Sequence, residues 1–444
     1  MAAINLTGVS GFPEWLPATR RAEQVVLDVI RSKFELFGFT PIETPAVERL
    51  EVLDAKGGVG RQIFKVTRPA MEEEHDGRGL GLHFDLTVPL ARYVIQHANS
   101  LTFPFRRYQI QKVWRGERAQ RGRFREFYQC DIDVIGRGSL DPMYDAEIPC
   151  VIFDIFDTLE IGEFSIRISS RKVLGAMFRA LSLQDRETTL LRIIDRFHKS
   201  DRDTILQDLI NEGLLFDQGN VILQLIEAET VDSARMELRR VGADEGGLDE
   251  LESVYSAAIR LGIPPTALKL DLAIARGLDY YTGTVFETFI NGREGWGSVC
   301  SGGRYDNLAA YFGGGVSYPG VGISIGLTRL ISLLESDGRL PKVASTPTKV
   351  LVATLDRNAL LDRYLEVARS LRAANIETEI YLGEARLGDQ LKYASSLGVE
   401  HVVIIGETEA EAGTAIVRHL AEHAQSEVPV EDIVKVILAK TFNL

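Results

Sequence analysis

Apolar residues recur at helical spacing from the start of the chain. Ala22, Val25, Val26, Val29, Ile30, Phe34 and Phe37 share one face of a helix predicted over 17–38, which Gly38 stops. FTPIETPAVE follows, with prolines at 41 and 45 that hold it extended. QIFKVT and LHFDLTV flank a polar, glycine-containing loop at 72–81 and read as a hairpin-like region. Residues 86–98 read as a helix. The stretches 107–115 and 126–135 alternate as strands, joined by the basic loop 116–125.

The pattern then changes twice. Residues 171–265 are rich in Leu, Ile, Arg, Asp and Glu at helical periods, and Pro264-Pro265 ends them. Strand patterns return at 268–275 and 283–290, followed by a glycine-rich stretch (297–326) and the apolar helix LTRLISLLES. A polar, proline-containing linker, RLPKVASTPTK, precedes a fresh alternation. KVLVATL, a helix at 358–374, IETEIYL, a helix at 387–397 and HVVIIG form a βαβαβ run; TAIVRHL adds a strand and EDIVKVILAK a helix. These shifts predict a discontinuous first domain (1–170 with 266–338), a helical insertion (171–265) and an α/β domain (348–444).

Composition bounds this picture. The chain has 444 residues and a net charge of −13, enough length for two or three domains without disulfide or metal staples. Cys130, Cys150 and Cys300 are far apart, and the seven histidines are scattered, so no metal site built from His or Cys is expected. MAAINLTGVSGFPEW lacks a basic segment followed by an apolar run, and no apolar run approaches the length of a membrane span, so a cytoplasmic location is expected.

The sign of the net charge argues against a polyanionic partner, but its distribution does not. Residues 171–265 and 348–444 are each net −5, whereas RRYQIQKVWRGERAQRGRFR at 106–125 carries eight basic residues and one acidic. A solvated basic face is one reading of that stretch. The interleaved Tyr108, Trp114 and Phe124, with Phe127 just beyond, favour another, since arginines on strands grip oxyanions bidentately. Arg115 and Glu117 lie two residues apart on one strand face, where one can neutralise a phosphate and the other accept from an amino group. Phe127 offers a flat surface for a purine. Exposed salt bridges along a hairpin would give the same local pattern. No Walker A loop, GxSxG elbow or HExxH is present.

VWRGERAQRGRFREF resembles motif 2 of class II aminoacyl-tRNA synthetases, GVGISIGLTRLISLL (320–334) their motif 3, and FTPIETPAVE their motif 1. ARGLDYYTGTVFE (275–287) and SGGRYDNL (301–308) are similar to the two signature peptides of the histidyl-tRNA synthetase family. LHFDLTVPLARY and REFYQCDIDVIG also match, with the cast of the family's eukaryotic and archaeal branch. The resemblance covers nearly the whole chain. It implies an α/β fold: an α+β catalytic domain with an antiparallel sheet flanked by helices, the helical insertion, and a C-terminal anticodon-binding α/β domain.

It also implies roles. Arg115, Arg123 and Arg329 would hold ATP phosphates, Glu117 would contact ATP, and Phe127 would stack on adenine. Asp85 and Thr87 would take the amino acid's ammonium, and Gln129 would orient its carboxylate. Asp133 and Tyr281 would read the imidazole, with Tyr305 beside them. Arg276 would lie by the α-phosphate and act with Arg115 in catalysis. Arg118 and Arg121 are candidates for the tRNA acceptor end, and Arg386, Lys392, Arg418 and Gln425 for the anticodon. The implied activity is ATP-dependent attachment of histidine to tRNA(His) through an adenylate, with Mg²⁺, by a homodimer; the alternative is a catalytically silent regulatory or binding paralogue. Thr328 and Trp114 depart from the family's common Glu and Phe, and Asp85 and Asp133 replace Glu of most bacterial forms.

Overall fold

The computed structural model describes residues 4–55, 60, 62–67, 79–274, 281–306, 312 and 315–441. The chain divides into two units, Met1–Glu14 with Val26–Leu340, and Trp15–Val25 with Pro341–Leu444. The first helix, Pro17–Leu36, supplies residues to both units.

The first unit contains strands β1 (Thr40–Pro41), β2 (Val47–Arg49), β3 (Lys65–Val66), β4 (Leu80–Leu82), β5 (Phe105–Trp114), β6 (Glu126–Ile135), β7 (Phe164–Ser170), β8 (Leu268–Leu270), β9 (Thr284–Ile290), β10 (Cys300–Tyr305) and β11 (Gly320–Gly326). Eight of them form one sheet in the order β1-β5-β6-β11-β10-β9-β7-β8. The outermost pairs, β1–β5 and β7–β8, are parallel; the six central strands run antiparallel. β2, β4 and β3 make a small separate sheet.

Alternation gives the large sheet two different faces. Cys130, Ile132, Ile323, Ile325, Phe286 and Ile168 point to a buried side, on which helices Tyr144–Thr158 and Leu327–Ser336 pack. The other face is polar. Gln109, Asp131, Ser324, Ser301, Glu287 and Arg167 are neighbours in register across six strands.

Between β7 and β8, residues 171–260 are built of helices, including Arg171–Ala180, Phe216–Ile226 and Gly246–Arg260. Ser170, Asp201 and Thr230 cap three of them by accepting from backbone N–H groups in the first turn. On this segment Arg235 pairs with Glu245, Asp249 and Glu252 together, a charge network contained within the helices.

The second unit has β12 (Val350–Val352), β13 (Thr378–Ile380), β14 (His401–Ile404), β15 (Thr414–His419) and β16 (Ala424–Pro429), in the order β13-β12-β14-β15-β16. The first three pair in parallel and the last two add antiparallel. Helix Arg357–Ala373, capped by Asp356, covers one apolar face, and helix Leu387–Leu397, ended by left-handed Gly398, covers the other.

The pattern did not foretell every element. β16 is polar and half-exposed at a sheet edge, so it carries no apolar alternation. Helix Tyr144–Thr158 is buried on most sides and contains Pro149, so it shows no clean stripe. The strand expected at 268–275 stops at Leu270, where Asp271 turns the chain by accepting from the N–H of Ala273.

Candidate active site

The polar face of the large sheet floors a cleft of about 360 Å³ lined by Asp85, Arg115, Glu117, Arg123, Phe127, Gln129, Glu287 and Arg329, among others. A recess of about 20 Å³ adjoins it, bounded by Thr87, Asp131, Asp133, Tyr281, Tyr305 and Ser324. That is room for a single water, so a ring enters only if its walls part. Thr87, Tyr281 and Ser324 line both spaces.

The recess end is rich in buried carboxylates. Asp85, Asp131 and Asp133 are 1%, 3% and 3% exposed. Asp133 accepts from the Tyr305 hydroxyl at 2.7 Å and faces Nη2 of Arg107 at 2.6 Å. Arg107 is fully buried, and its Nε and Nη1 find no hydrogen-bond partner among the described residues. Asp85 accepts from the N–H of Val88 at 3.1 Å, in the first turn of helix Thr87–His97. Burial pushes the Asp85 carboxyl up to about 6, with Val88, Arg115 and Arg107 opposing. It pushes Asp131 up to about 7 against the opposing charge of Arg107. Asp133 is raised for the same reason, opposed by Arg107 and Tyr305.

Glycines on β11 make this packing possible. A Cβ on Gly322 would collide with the Asp133 carboxylate, and one on Gly320 with the Tyr305 ring. Gly322 is the register partner of Asp133, and Gly320 that of Tyr305.

The other end of the cleft is cationic. The Arg115 guanidinium lies 5.0 Å from the centroid of Phe127, and its Nε donates to the Phe84 carbonyl at 2.9 Å. Arg329, in the first turn of helix Leu327–Ser336, donates through Nε to the Gly122 carbonyl at 2.8 Å and through Nη1 to that of Ser298. Its pKa is lowered, first by burial and then by the charges of Arg123 and Arg115. Three cations crowded with so little counter-charge make an anion site. Arg123 and Glu117 approach to only 3.7 Å. Thr328 is buried and its hydroxyl accepts from the N–H of Tyr128, a role in fastening β6. The Trp114 indole donates to Glu126 at 2.9 Å, inside the hairpin.

Asp85, Thr87, Arg115, Glu117, Arg123, Phe127, Gln129, Tyr281 and Arg329 thus line one cleft, with Asp133 and Tyr305 in its recess. Arg276 lies outside the described residues. Arg118 is exposed on the hairpin loop. Arg121 stacks 4.4 Å from the Trp296 ring and reaches Ser336. Arg386 and Lys392 are exposed at and on helix Leu387–Leu397, and Arg418 and Gln425 are register partners on β15 and β16. Sequence reasoning missed Arg107, Asp131 and Ser324 as site residues; period-two alternation along β5, β6 and β11 was the signal that could have found them.

A mainly antiparallel sheet that carries an arginine-bearing hairpin and delivers a further arginine from the helix after its central strand defines a class II aminoacyl-tRNA synthetase catalytic domain. The family model for histidyl-tRNA synthetase matches residues 11–330, and that for an anticodon binding domain matches 349–440. Histidine–tRNA ligase of Trichormus variabilis is 43% identical over 97% of each chain, and that of Thermobifida fusca is 45% identical over 88% of this chain and 90% of its own. The crystal structure of histidyl-tRNA synthetase from Nostoc sp. PCC 7120 superimposes with a TM-score of 0.88 at 41% identity, covering 99% of this chain and 100% of that one. An ATP phosphoribosyltransferase regulatory subunit/histidyl-tRNA synthetase from Bacillus halodurans C shares the fold, with a TM-score of 0.73 at 21% identity over 90% and 98% of the two chains. The chain belongs to the histidyl-tRNA synthetase family. These bacterial relatives align over most of its length, so the eukaryotic and archaeal cast of some motifs does not set it apart from bacterial members.

Proposed function

We infer that the chain attaches histidine to tRNA(His) in two steps at this cleft. The observation that carries the reading is the segregation of charge: three arginines line the cleft, two buried carboxylates, Asp131 and Asp133, wall its recess, and Asp85 lines the cleft under the charges of Arg115 and Arg107. ATP phosphates suit the arginines and an ammonium with an imidazole suits the carboxylates.

In the first step the histidine carboxylate attacks the α-phosphorus of ATP, and pyrophosphate leaves. The nucleophile is already an anion, so no general base is required; the chain supplies position and counter-charge. Arg115, Arg123 and Arg329 take the phosphates, Glu117 contacts the nucleotide and Phe127 carries the adenine. Asp85 and Thr87 receive the ammonium. Asp133, fixed by Arg107 and Tyr305, and Tyr281 read the two ring nitrogens. Arg276 is assigned to the α-phosphate on the signature peptide it belongs to. In the second step a terminal ribose hydroxyl of the tRNA takes the histidyl group from the adenylate.

Mg²⁺ fits this cleft in one way. Among the described residues no three His, Cys, Asp or Glu side chains gather to hold an ion by themselves. Mg²⁺ needs only one or two carboxylates when substrate phosphates complete its shell. Glu117 and Glu287 both line the cleft within electrostatic reach of Arg329 and would hold it there. The ion would neutralise phosphate charge.

We assign 1–170 with 266–338 to the catalytic domain, 171–265 to an insertion and 348–444 to anticodon binding. Arg118 and Arg121 are proposed for the acceptor end, and Arg386, Lys392, Arg418 and Gln425 for the anticodon. A homodimer is proposed from the likeness of FTPIETPAVE to motif 1. A cytoplasmic location is proposed too; among the described residues no helix is long and apolar enough to cross a membrane. The silent-paralogue alternative has less support, since the chain keeps the arginines, the carboxylates and the second signature peptide. Charging of total tRNA by the purified protein decides between them: histidyl-tRNA is expected to form, and no acylation with any amino acid would favour the paralogue.

A further inference from the structure

Three buried acceptor oxygens, two on residues lining the cleft and one on a residue lining its recess, have no hydrogen-bond partner among the described residues: Asp85 Oδ2, Gln129 Oε1 and Asp131 Oδ1. Their residues are all more than nine-tenths buried. Native interiors seldom leave one such atom dry, and three in adjoining cavities call for a ligand that donates to them.

The local structure shows why these oxygens face the space. Gln129 and Asp131 are two residues apart on one face of β6, and Ser324 on β11 is the register partner of Asp131. Gln129 donates through Nε2 to Ser324 Oγ at 2.6 Å, and the Ser324 hydroxyl hydrogen-bonds to the Asp131 carboxylate. This relay uses one Gln129 N–H and one Asp131 oxygen, and it leaves the amide oxygen and the second carboxylate oxygen without partners. Asp85 approaches from the turn before helix Thr87–His97, close enough for its charge to act on Asp131. Arg107, the cation buried beside them, pairs with Asp133 and donates a hydrogen bond to none of the three oxygens, although its Nε and Nη1 are themselves unpartnered among the described residues.

The complement of three acceptors carrying up to two negative charges is a compact cation with three donors. An ammonium is that group; a guanidinium is planar and spreads its donors along two edges. We propose that Asp131 is a third recognition residue for the substrate's α-ammonium, completing with Asp85 and Gln129 a cradle of one acceptor per N–H. The proposal rests on the histidine-activation reading and alters one part of it. Gln129 presents its unpartnered oxygen to the ammonium, its nitrogen already giving one of its two hydrogens to Ser324, and is assigned to the ammonium in place of the substrate carboxylate.

Calorimetric titration tests this without requiring turnover. Histidinol keeps the ammonium and imidazole of histidine; 3-(imidazol-4-yl)propanol lacks the ammonium. In Asp131→Asn, histidinol is expected to bind at least tenfold more weakly than to wild type, while the des-amino analogue and ATP stay within twofold. Unchanged histidinol affinity overturns the proposal, as does an equal loss for both analogues, which would give Asp131 a structural or ring-reading role. Ser324→Ala, which breaks the relay without touching the charge, is expected to show the same selective loss at a few-fold. It stands as the deciding variant if Asp131→Asn does not fold, and absence of selectivity there rejects the cradle. Failure of wild type itself to bind histidinol would reject the histidine reading, an outcome separate from these.

Discussion

The two ends of the cleft handle charge in opposite ways. At the recess end the carboxylates are buried, and the lone arginine among them is buried too, locked to Asp133 at 2.6 Å. At the mouth the arginines are only partly covered, and Arg329 is pressed by its like-charged neighbours. Arg235, on the helical segment, is a third case: it meets three carboxylates at 2.6–2.8 Å and has no charge left to offer. The difference separates architecture from function. A cation paired closely with buried protein carboxylates holds the fold; of the crowded cations, Arg115 and Arg329 are held by backbone carbonyls and Arg123 meets Glu117 only at 3.7 Å, which leaves charge for an anion.

If that distinction is right, damage at the two ends should differ in kind. The largest effect is expected on stability at the recess. Asp133→Ala strands the Arg107 charge in the interior and should lower unfolding free energy by about 3–5 kcal/mol. Adding Arg107→Met should recover part of the loss. Denaturant unfolding of the single and double variants measures both, and a double variant as unstable as the single one would show that stranded charge is not the cause.

At the mouth, Arg329→Ala should leave histidine affinity within twofold. It should slow adenylate formation by about a hundredfold, the scale of about 3 kcal/mol from a missing transition-state donor. Steady-state exchange kinetics beside histidine titration would separate the two. Equal losses in both would erase the contrast between the ends.

The smaller effect concerns pH. Asp85 and Asp131 have folded-state pKa values raised to about 6 and about 7 from 3.8. The native state therefore holds protons that the unfolded chain has released. Their contribution to stability is full below about pH 4 and is lost as pH rises to about 7. The unliganded protein should accordingly lose melting temperature between pH 5 and pH 7.5, and Asp131→Asn should reduce that slope. An unchanged slope in the variant would remove Asp131 from the account.

Much of the scaffold was legible because it is periodic. The β5–β6 hairpin and helix Pro17–Leu36 recur with the period of their element, and β12 and β14 of the second unit read as short, continuous apolar runs because helices bury both of their faces. β10 and β11 were harder, since glycines blur their pattern: Gly320 and Gly322 on β11 clear space for Tyr305 and Asp133, and Gly302 and Gly303 on β10 for the β11 backbone and the Tyr281 ring. The basic stretch 106–125 was legible as a site but not in its use. Arg106 pairs with Glu147, Arg107 with Asp133 and Lys112 with Glu126, so part of its net +7 is spent inside the fold. Those partners lie 14 to 41 positions away, beyond the reach of local pattern. The resemblance located the cleft residues, but it did not name Asp131 or Ser324, whose meaning lies in which atoms are left without partners.

One cleft is proposed to join the carboxylate of histidine to the α-phosphate of ATP. Histidine-dependent ATP–pyrophosphate exchange tests it most directly, measured with each of the twenty amino acids on wild type and on Arg329→Ala. Exchange is expected with histidine alone, falling about a hundredfold in the variant. No exchange with histidine, preference for another amino acid, or a variant as active as wild type would contradict it.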